Sequence, residues 1–106
     1  MDEKILEISF QIIAFAGNAR SIATEAIREA KSGNIEQAKE LLKQSKEEMH
    51  EAHKFQTELI QKEAAGEKYD IGVLLIHSQD HLMNAITYQS LAEEIVDLYE
   101  RLLEKN

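Results

Sequence analysis

Ile76-His77-Ser78-Gln79-Asp80-His81-Leu82-Met83-Asn84-Ala85 sets a polar patch inside a segment whose neighbours follow unbroken helical periodicity. At about 100° of rotation per residue, His77, Asp80, His81 and Asn84 share one arc of roughly 100°, the i, i+3, i+4, i+7 stripe of a helix face. Extending the 3-4 spacing from Leu74 through His77, His81, Asn84 and Tyr88 to Leu91, Ile95, Leu98 and Leu102 assigns the histidines and the asparagine to an otherwise apolar seam. Polar groups at a seam need partners or a function. A second apolar line through Val73, Ile76, Met83 and Leu82 makes the same helix apolar on more than one side. One strip facing its own bundle and another facing a different chain account for this, so an oligomer is expected.

Working outward, Ile5, Ile8, Ile12, Phe15, Ala19, Ile22 and Ala26 alternate steps of three and four and predict a first helix from Glu3 to Lys31. Ser32-Gly33-Asn34 closes it, with Gly33 suited to the left-handed C′ position, Asn34 to an N-cap and Gln37 to the capping-box offset. The second helix is predicted to run to about Ala65 on the stripe Ala38, Leu42, Ser45, Met49, Ala52, Gln56 and Leu59, flanked by Leu41, Phe55 and Ile60, and to end at Gly66. Asp70 is placed to cap a third helix that reaches about Leu103. Short connections between three helices predict an all-α, antiparallel up-down-up bundle, a single domain over residues 1–106. Gly17, inside the first helix, should cost about 1 kcal/mol relative to alanine. Either a neighbouring helix approaches closely there, or room is needed near a functional group.

Twenty acidic against twelve basic residues give a formal charge of -8, which repels phosphate backbones and anionic lipid headgroups. Nucleic-acid binding and direct membrane binding are therefore not expected, and protein partners with basic patches are. There is no cysteine, so disulfides and thiolate metal sites are excluded. With no apolar run beyond about six residues and an acidic start, Met1-Asp2-Glu3, the expected location is the cytoplasm.

Four histidines form two pairs. His50 and His53 lie three apart, and Glu47 makes a Glu-x-x-His with His50. Di-iron bundles need that motif twice, on four helices, so surface or packing roles are expected for both. His77, Asp80 and His81 admit three readings. They could form a satisfied core cluster that fixes helix register. They could bind a divalent metal from one side of a helix. A single shielded, uncharged imidazole could also be a nucleophile for a phosphoryl group. The last requires preorganised donors, and mid-helix amides are already used, so side chains must supply them. His81, Asn84, and Arg20 or residues from another chain are the candidates. Arg20 is the only basic residue between Lys4 and Arg28, and it either extends into solvent or faces an anion. Gln79 points to the opposite side of the helix and could act only across an interface.

The run Val73-Leu74-Leu75-Ile76-His77-Ser78-Gln79-Asp80-His81-Leu82-Met83-Asn84-Ala85 resembles the active-site segment of the lactose/cellobiose-type enzyme IIA of the bacterial phosphoenolpyruvate-dependent sugar phosphotransferase system. Ala14-Phe15-Ala16-Gly17-Asn18-Ala19-Arg20-Ser21 is similar to that family's first-helix segment. Glu51-Ala52-His53-Lys54-Phe55-Gln56-Thr57-Glu58-Leu59-Ile60-Gln61, with Gly66-Glu67-Lys68 after it, is similar to its second. The resemblance implies a phosphocarrier that takes a phosphoryl group from the general phosphocarrier protein and passes it to a sugar-specific IIB component of beta-glucoside, lactose or cellobiose type, without binding the sugar itself. It places the phosphorylated histidine at His77, polar residues around it at Gln79 and His81, and at Asp80 the aspartate that binds a metal ion, with Mg2+ the plausible one, on the axis of a homotrimer of nine helices. Ser78 stands where the family often has alanine. The competing reading from the residues is a non-catalytic oligomeric bundle, structural or metal-binding, whose His-Asp cluster fixes register. A two-component phosphorelay domain fits less well, because its His-x-x-Lys-Gly pattern has no counterpart in His77-Ser78-Gln79-Asp80.

Overall fold

The chain's ends and turns are set by local chemistry. In the computed structural model, which describes residues 2–105, the Asp2 carboxylate accepts from the Lys4 backbone N–H at 2.8 Å and caps α1, Glu3–Lys31. Two glycines with positive φ, Gly33 at 92° and Gly66 at 86°, end α1 and then α2, Ile35–Ala64. In both turns the glycine N–H bonds three residues back and the next N–H five residues back, Gly33 to Ala30 and Asn34 to Glu29, then Gly66 to Glu63 and Glu67 to Lys62. Each is a Schellman closure, a geometry that glycine adopts without the clash a Cβ would bring. The third helix, α3, spans Val73–Glu104.

Two expected caps differ. Asn34 occupies the N-cap position of α2, but its side-chain amide donates to Glu29 at 2.7 Å instead of making a capping box with Gln37. Asp70 does not cap α3. The N-cap is Gly72, without a side-chain bond, because residues 67–72 are spent crossing the bundle end, where Tyr69 packs against the core and its hydroxyl reaches the Leu59 carbonyl at 3.5 Å.

The helices run up, down and up as expected, forming a rod 58 Å long. Core residues sort into two clusters along it. One joins the N-terminal half of α1, the C-terminal half of α2 and the N-terminal half of α3 through Ile5, Ile8, Ile12, Leu59, Leu75 and Leu82. The other joins Ala23, Ala26, Ala30, Leu41, Leu42, Ala92 and Val96. Small residues let α1 lie close to both neighbours. Ser45 of α2 donates to the Ala19 carbonyl of α1 at 2.7 Å, a buried cross-link that satisfies the hydroxyl.

On α3 the inward line is Leu75, Ser78, Leu82, Ala85, Gln89, Ala92 and Val96. It lies one residue beyond the line through His77 and His81 that periodicity put at the seam. A helix apolar on several sides carries several 3-4 lines, and packing against the small residues of α1 selected the one with serine and alanine in it. Leu82 belongs to this core and not to the second apolar line, whereas Val73, Ile76, Met83, Leu91, Leu98 and Leu102 stand exposed, Val73 by 82%.

Gly17 is not explained by helix packing. A Cβ built there meets nothing within 4 Å, so the close-approach reading fails and open space remains. We expect Gly17→Ala to raise stability by about 1 kcal/mol through helix propensity, read as a higher urea midpoint at fixed protein concentration. A lower midpoint would show a packing role the geometry lacks.

Candidate active site

Displacement of the histidine line from the core leaves it on the flank of α3 that borders α1. His77 is exposed and His81 half-buried, and one helical turn brings their Nε2 atoms to 3.1 Å with the rings edge-on, centroids 4.5 Å apart. One of those nitrogens must carry the proton and the other the lone pair. The second nitrogen of His81, Nδ1, is buried and has no partner among the described residues. A buried N–H without an acceptor is costlier than a bare lone pair, which favours the proton on His81 Nε2 and the lone pair on His77 Nε2. That tautomer leaves the His77 Nε2 lone pair facing the His81 N–H.

Asn84 and Tyr88 continue the flank at i+3 and i+7 from His81. Tyr88 is tied to α1: its hydroxyl lies 2.6 Å from Thr24 Oγ1, and the Arg20 guanidinium sits over its ring, 5.7 Å from the centroid. Helices α1 and α3 run in the same direction, so two turns back from Thr24 and Tyr88 the open edge at Gly17 comes level with His81. The Tyr88 tie escaped sequence reading, which treated Tyr88 only as a seam residue; Thr24 lies four residues after Arg20, the one signal available.

Gln79 is not brought to His77 within the chain. Two residues on, about 200° around the helix, it faces α2, where its side-chain oxygen accepts from the Gln56 amide at 2.8 Å. Gln56, read only as a stripe residue of α2, is thereby a positioning partner. Asp80 is exposed and lies about 200° from both Ser78 and Leu82, facing directly away from the core within the outward apolar strip. His50 and His53 are exposed on α2, as expected of surface histidines.

Among the described residues no three His, Asp or Glu side chains converge to hold a metal ion. A single chain therefore does not fit the His77, Asp80, His81 metal reading: the two imidazole Nε2 atoms face each other, and Asp80 does not join them in a three-ligand group. The core-register reading loses its premise as well, since His77 lies outside the core.

Known proteins show the same architecture. Over residues 7–100 the chain matches the family described as PTS system, lactose/cellobiose specific IIA subunit. It is 51% identical over 105 residues to the lichenan-specific phosphotransferase enzyme IIA component of Bacillus subtilis (strain 168), covering 99% of this chain and 96% of that protein. The crystal structure of the PTS cellobiose specific enzyme IIA from Bacillus anthracis aligns with a TM-score of 0.94 at 56% identity, over 96% of this chain and 94% of that one. The solution structures of the IIA(Chitobiose)-HPr complex of the N,N'-diacetylchitobiose branch of the Escherichia coli phosphotransferase system align at 0.80 and 36% identity, over 92% and 95%. No helix among the described residues is long and apolar enough to cross a membrane. A three-helix chain matched along nearly its whole length, with paired imidazoles on an open flank, belongs to the lactose/cellobiose-specific enzyme IIA family of the sugar phosphotransferase system.

Proposed function

We propose that His77 accepts the phosphoryl group from the general phosphocarrier protein, HPr, and passes it to a IIB component. The observation that carries this reading is the exposed His77 imidazole with Nε2 held 3.1 Å from that of His81, in a chain of this family. The P–N bond to the donor's imidazole breaks as a P–N bond to His77 Nε2 forms, and the donor nitrogen keeps the electron pair. The His81 N–H that bonded the lone pair is then free to donate to a phosphoryl oxygen, with Asn84 beside it. Transfer in both directions needs an accessible imidazole, which an exposed flank supplies, and a small transient interface suits it. A cytoplasmic location follows from these partners. The HPr complex of the chitobiose relative supports HPr as the donor. Relatives named for lichenan, cellobiose and chitobiose support a IIB partner of the beta-glucoside, lactose or cellobiose type, with no sugar bound by this chain.

The outward strip of α3 supports assembly with further copies. Val73, Ile76, Leu91, Leu98 and Leu102 are each more than half exposed in one chain, and water is excluded from such a strip by burial against like strips. A homotrimer would gather three Asp80 carboxylates, and one divalent cation with oxygen ligands, Mg2+ by chemistry, would relieve their repulsion. Gln79, on the opposite flank of α3 from His77, would then face a neighbouring copy's histidine.

Intact mass after incubation with phosphoenolpyruvate, the general phosphotransferase enzyme and HPr tests the central step. The wild type should gain one acid-labile phosphoryl group, His77→Ala none, and His81→Ala the group at a rate reduced by about 10²-fold. A phosphoryl gain on His77→Ala would move the site elsewhere. For the assembly, Ile76→Glu with Leu98→Glu should sediment as a helical monomer where the wild type sediments as a trimer; a monomeric wild type would contradict the shared Asp80 site.

A further inference from the structure

Beyond Asp80, which borders the paired histidines, the flank that continues their line is free of acid, in a protein that is otherwise strongly acidic. Between Glu7 and Glu25 on α1 there is no carboxylate, and between Asp80 and Glu93 on α3 there is no Asp, Glu, Lys or Arg. The two windows lie against each other, joined by the Thr24–Tyr88 hydrogen bond. One permanent charge stands in them, Arg20. It pairs with no carboxylate among the described residues, although the chain carries twenty acidic side chains.

Its position is nonetheless fixed. The guanidinium lies over the Tyr88 ring at 5.7 Å, within cation–π range. The Tyr88 hydroxyl is held by Thr24 Oγ1, and Thr24 in turn donates to the Arg20 carbonyl at 2.9 Å. Backbone, hydroxyl, ring and guanidinium close a loop across the two helices. A carboxylate would hold an arginine by cancelling its charge, whereas an aromatic face holds it and leaves the charge intact. Along the same line Tyr88 is two turns from His81 and three from His77, about 10 Å and about 16 Å of helix rise, so the cation lies on the C-terminal side of the histidine pair, between about one and two Debye lengths from its members at physiological salt.

We infer that Arg20, held on Tyr88, is an electrostatic positioning residue that draws the doubly negative phosphoryl group of the incoming donor onto the acid-free flank beside His77. This rests on the phosphocarrier reading above. A net charge of -8 repels such a group from most of the surface, and a single uncompensated cation in a carboxylate-free window gives its approach a direction. Arg20 makes no covalent bond and leaves the transfer itself to His77. Its effect therefore falls on the encounter rate and weakens as salt screens it.

The test is rapid-quench measurement of phosphoryl uptake from purified phosphorylated HPr by wild type, Arg20→Gln, Arg20→Lys and Tyr88→Leu, at low and high ionic strength, with helicity checked by circular dichroism. Arg20→Gln should lower the second-order rate constant by about tenfold at low salt, and the difference should shrink at high salt. Arg20→Lys should retain most of the rate because it keeps the charge, and Tyr88→Leu should fall between. A rate for Arg20→Gln equal to wild type at low salt, or a loss that salt does not change, overturns the inference while leaving the phosphocarrier reading intact. Absence of uptake by the folded wild type overturns both.

Discussion

Close packing of α1 against its neighbours through small side chains is the constraint on which the rest of this structure depends. Ala16, Ala19, Ala23, Ala26 and Ala30 are buried along one face of α1, and Ala52, Ala85 and Ala92 meet them from the other helices. Alanine loses no rotamer freedom and brings helix axes close, but it buries little area per residue. Larger side chains at one end, Ile5, Ile8, Ile12 and Leu82, supply more of the hydrophobic stabilisation there. With α1 and α3 drawn together, their adjoining edges form a shallow flank on which residues of both helices act jointly. Thr24 can reach Tyr88, Arg20 can lie on its ring, and the edge at Gly17 stays open beside the histidines.

A third helix with three different duties follows. Its inward line holds the bundle, its outward strip is apolar and exposed, and the flank between them carries the paired histidines. The duties are separated by rotation, so the imidazole line need not be satisfied as a core cluster would be. The one buried side-chain polar atom left without a partner among the described residues, His81 Nδ1, is the cost of pointing Nε2 at His77. Asp80 illustrates the same separation: a carboxylate two residues from both Ser78 and Leu82 must face away from the core, into the exposed apolar strip.

Helix number and order were legible in the sequence because Gly33 and Gly66 impose the left-handed conformation that closes a helix, and because Ile5, Ile8, Ile12, Ala19 and Ala26 mark the inward face of α1, although Phe15 and Ile22 of the same predicted stripe are only partly buried beside the inward Ala16 and Ala23. The inward face of α3 was not. Leu74, Leu91, Ile95 and Leu98 make a hydrophobic line as good as Leu75, Leu82, Ala92 and Val96, and only contact with α1 chooses between them. For the site, the His77–His81 pairing was readable from i, i+4 spacing, as was the divergence of Gln79. The Tyr88–Thr24–Arg20 tie and the Gln56–Gln79 bond join residues at least 23 positions apart or span helices, beyond what periodicity within one helix can report. Gly17 was recognisable as an anomaly, but only coordinates could show that its surroundings are empty.

The central claim is that the histidine line serves chemistry outside the core and contributes little to holding the fold. The most direct measurement is urea unfolding of His77→Ala at fixed protein concentration beside the wild type. An exposed imidazole that leaves no cavity predicts unfolding free energies within about 0.5 kcal/mol of each other. A loss of several kcal/mol would place His77 in the structural framework and contradict the account.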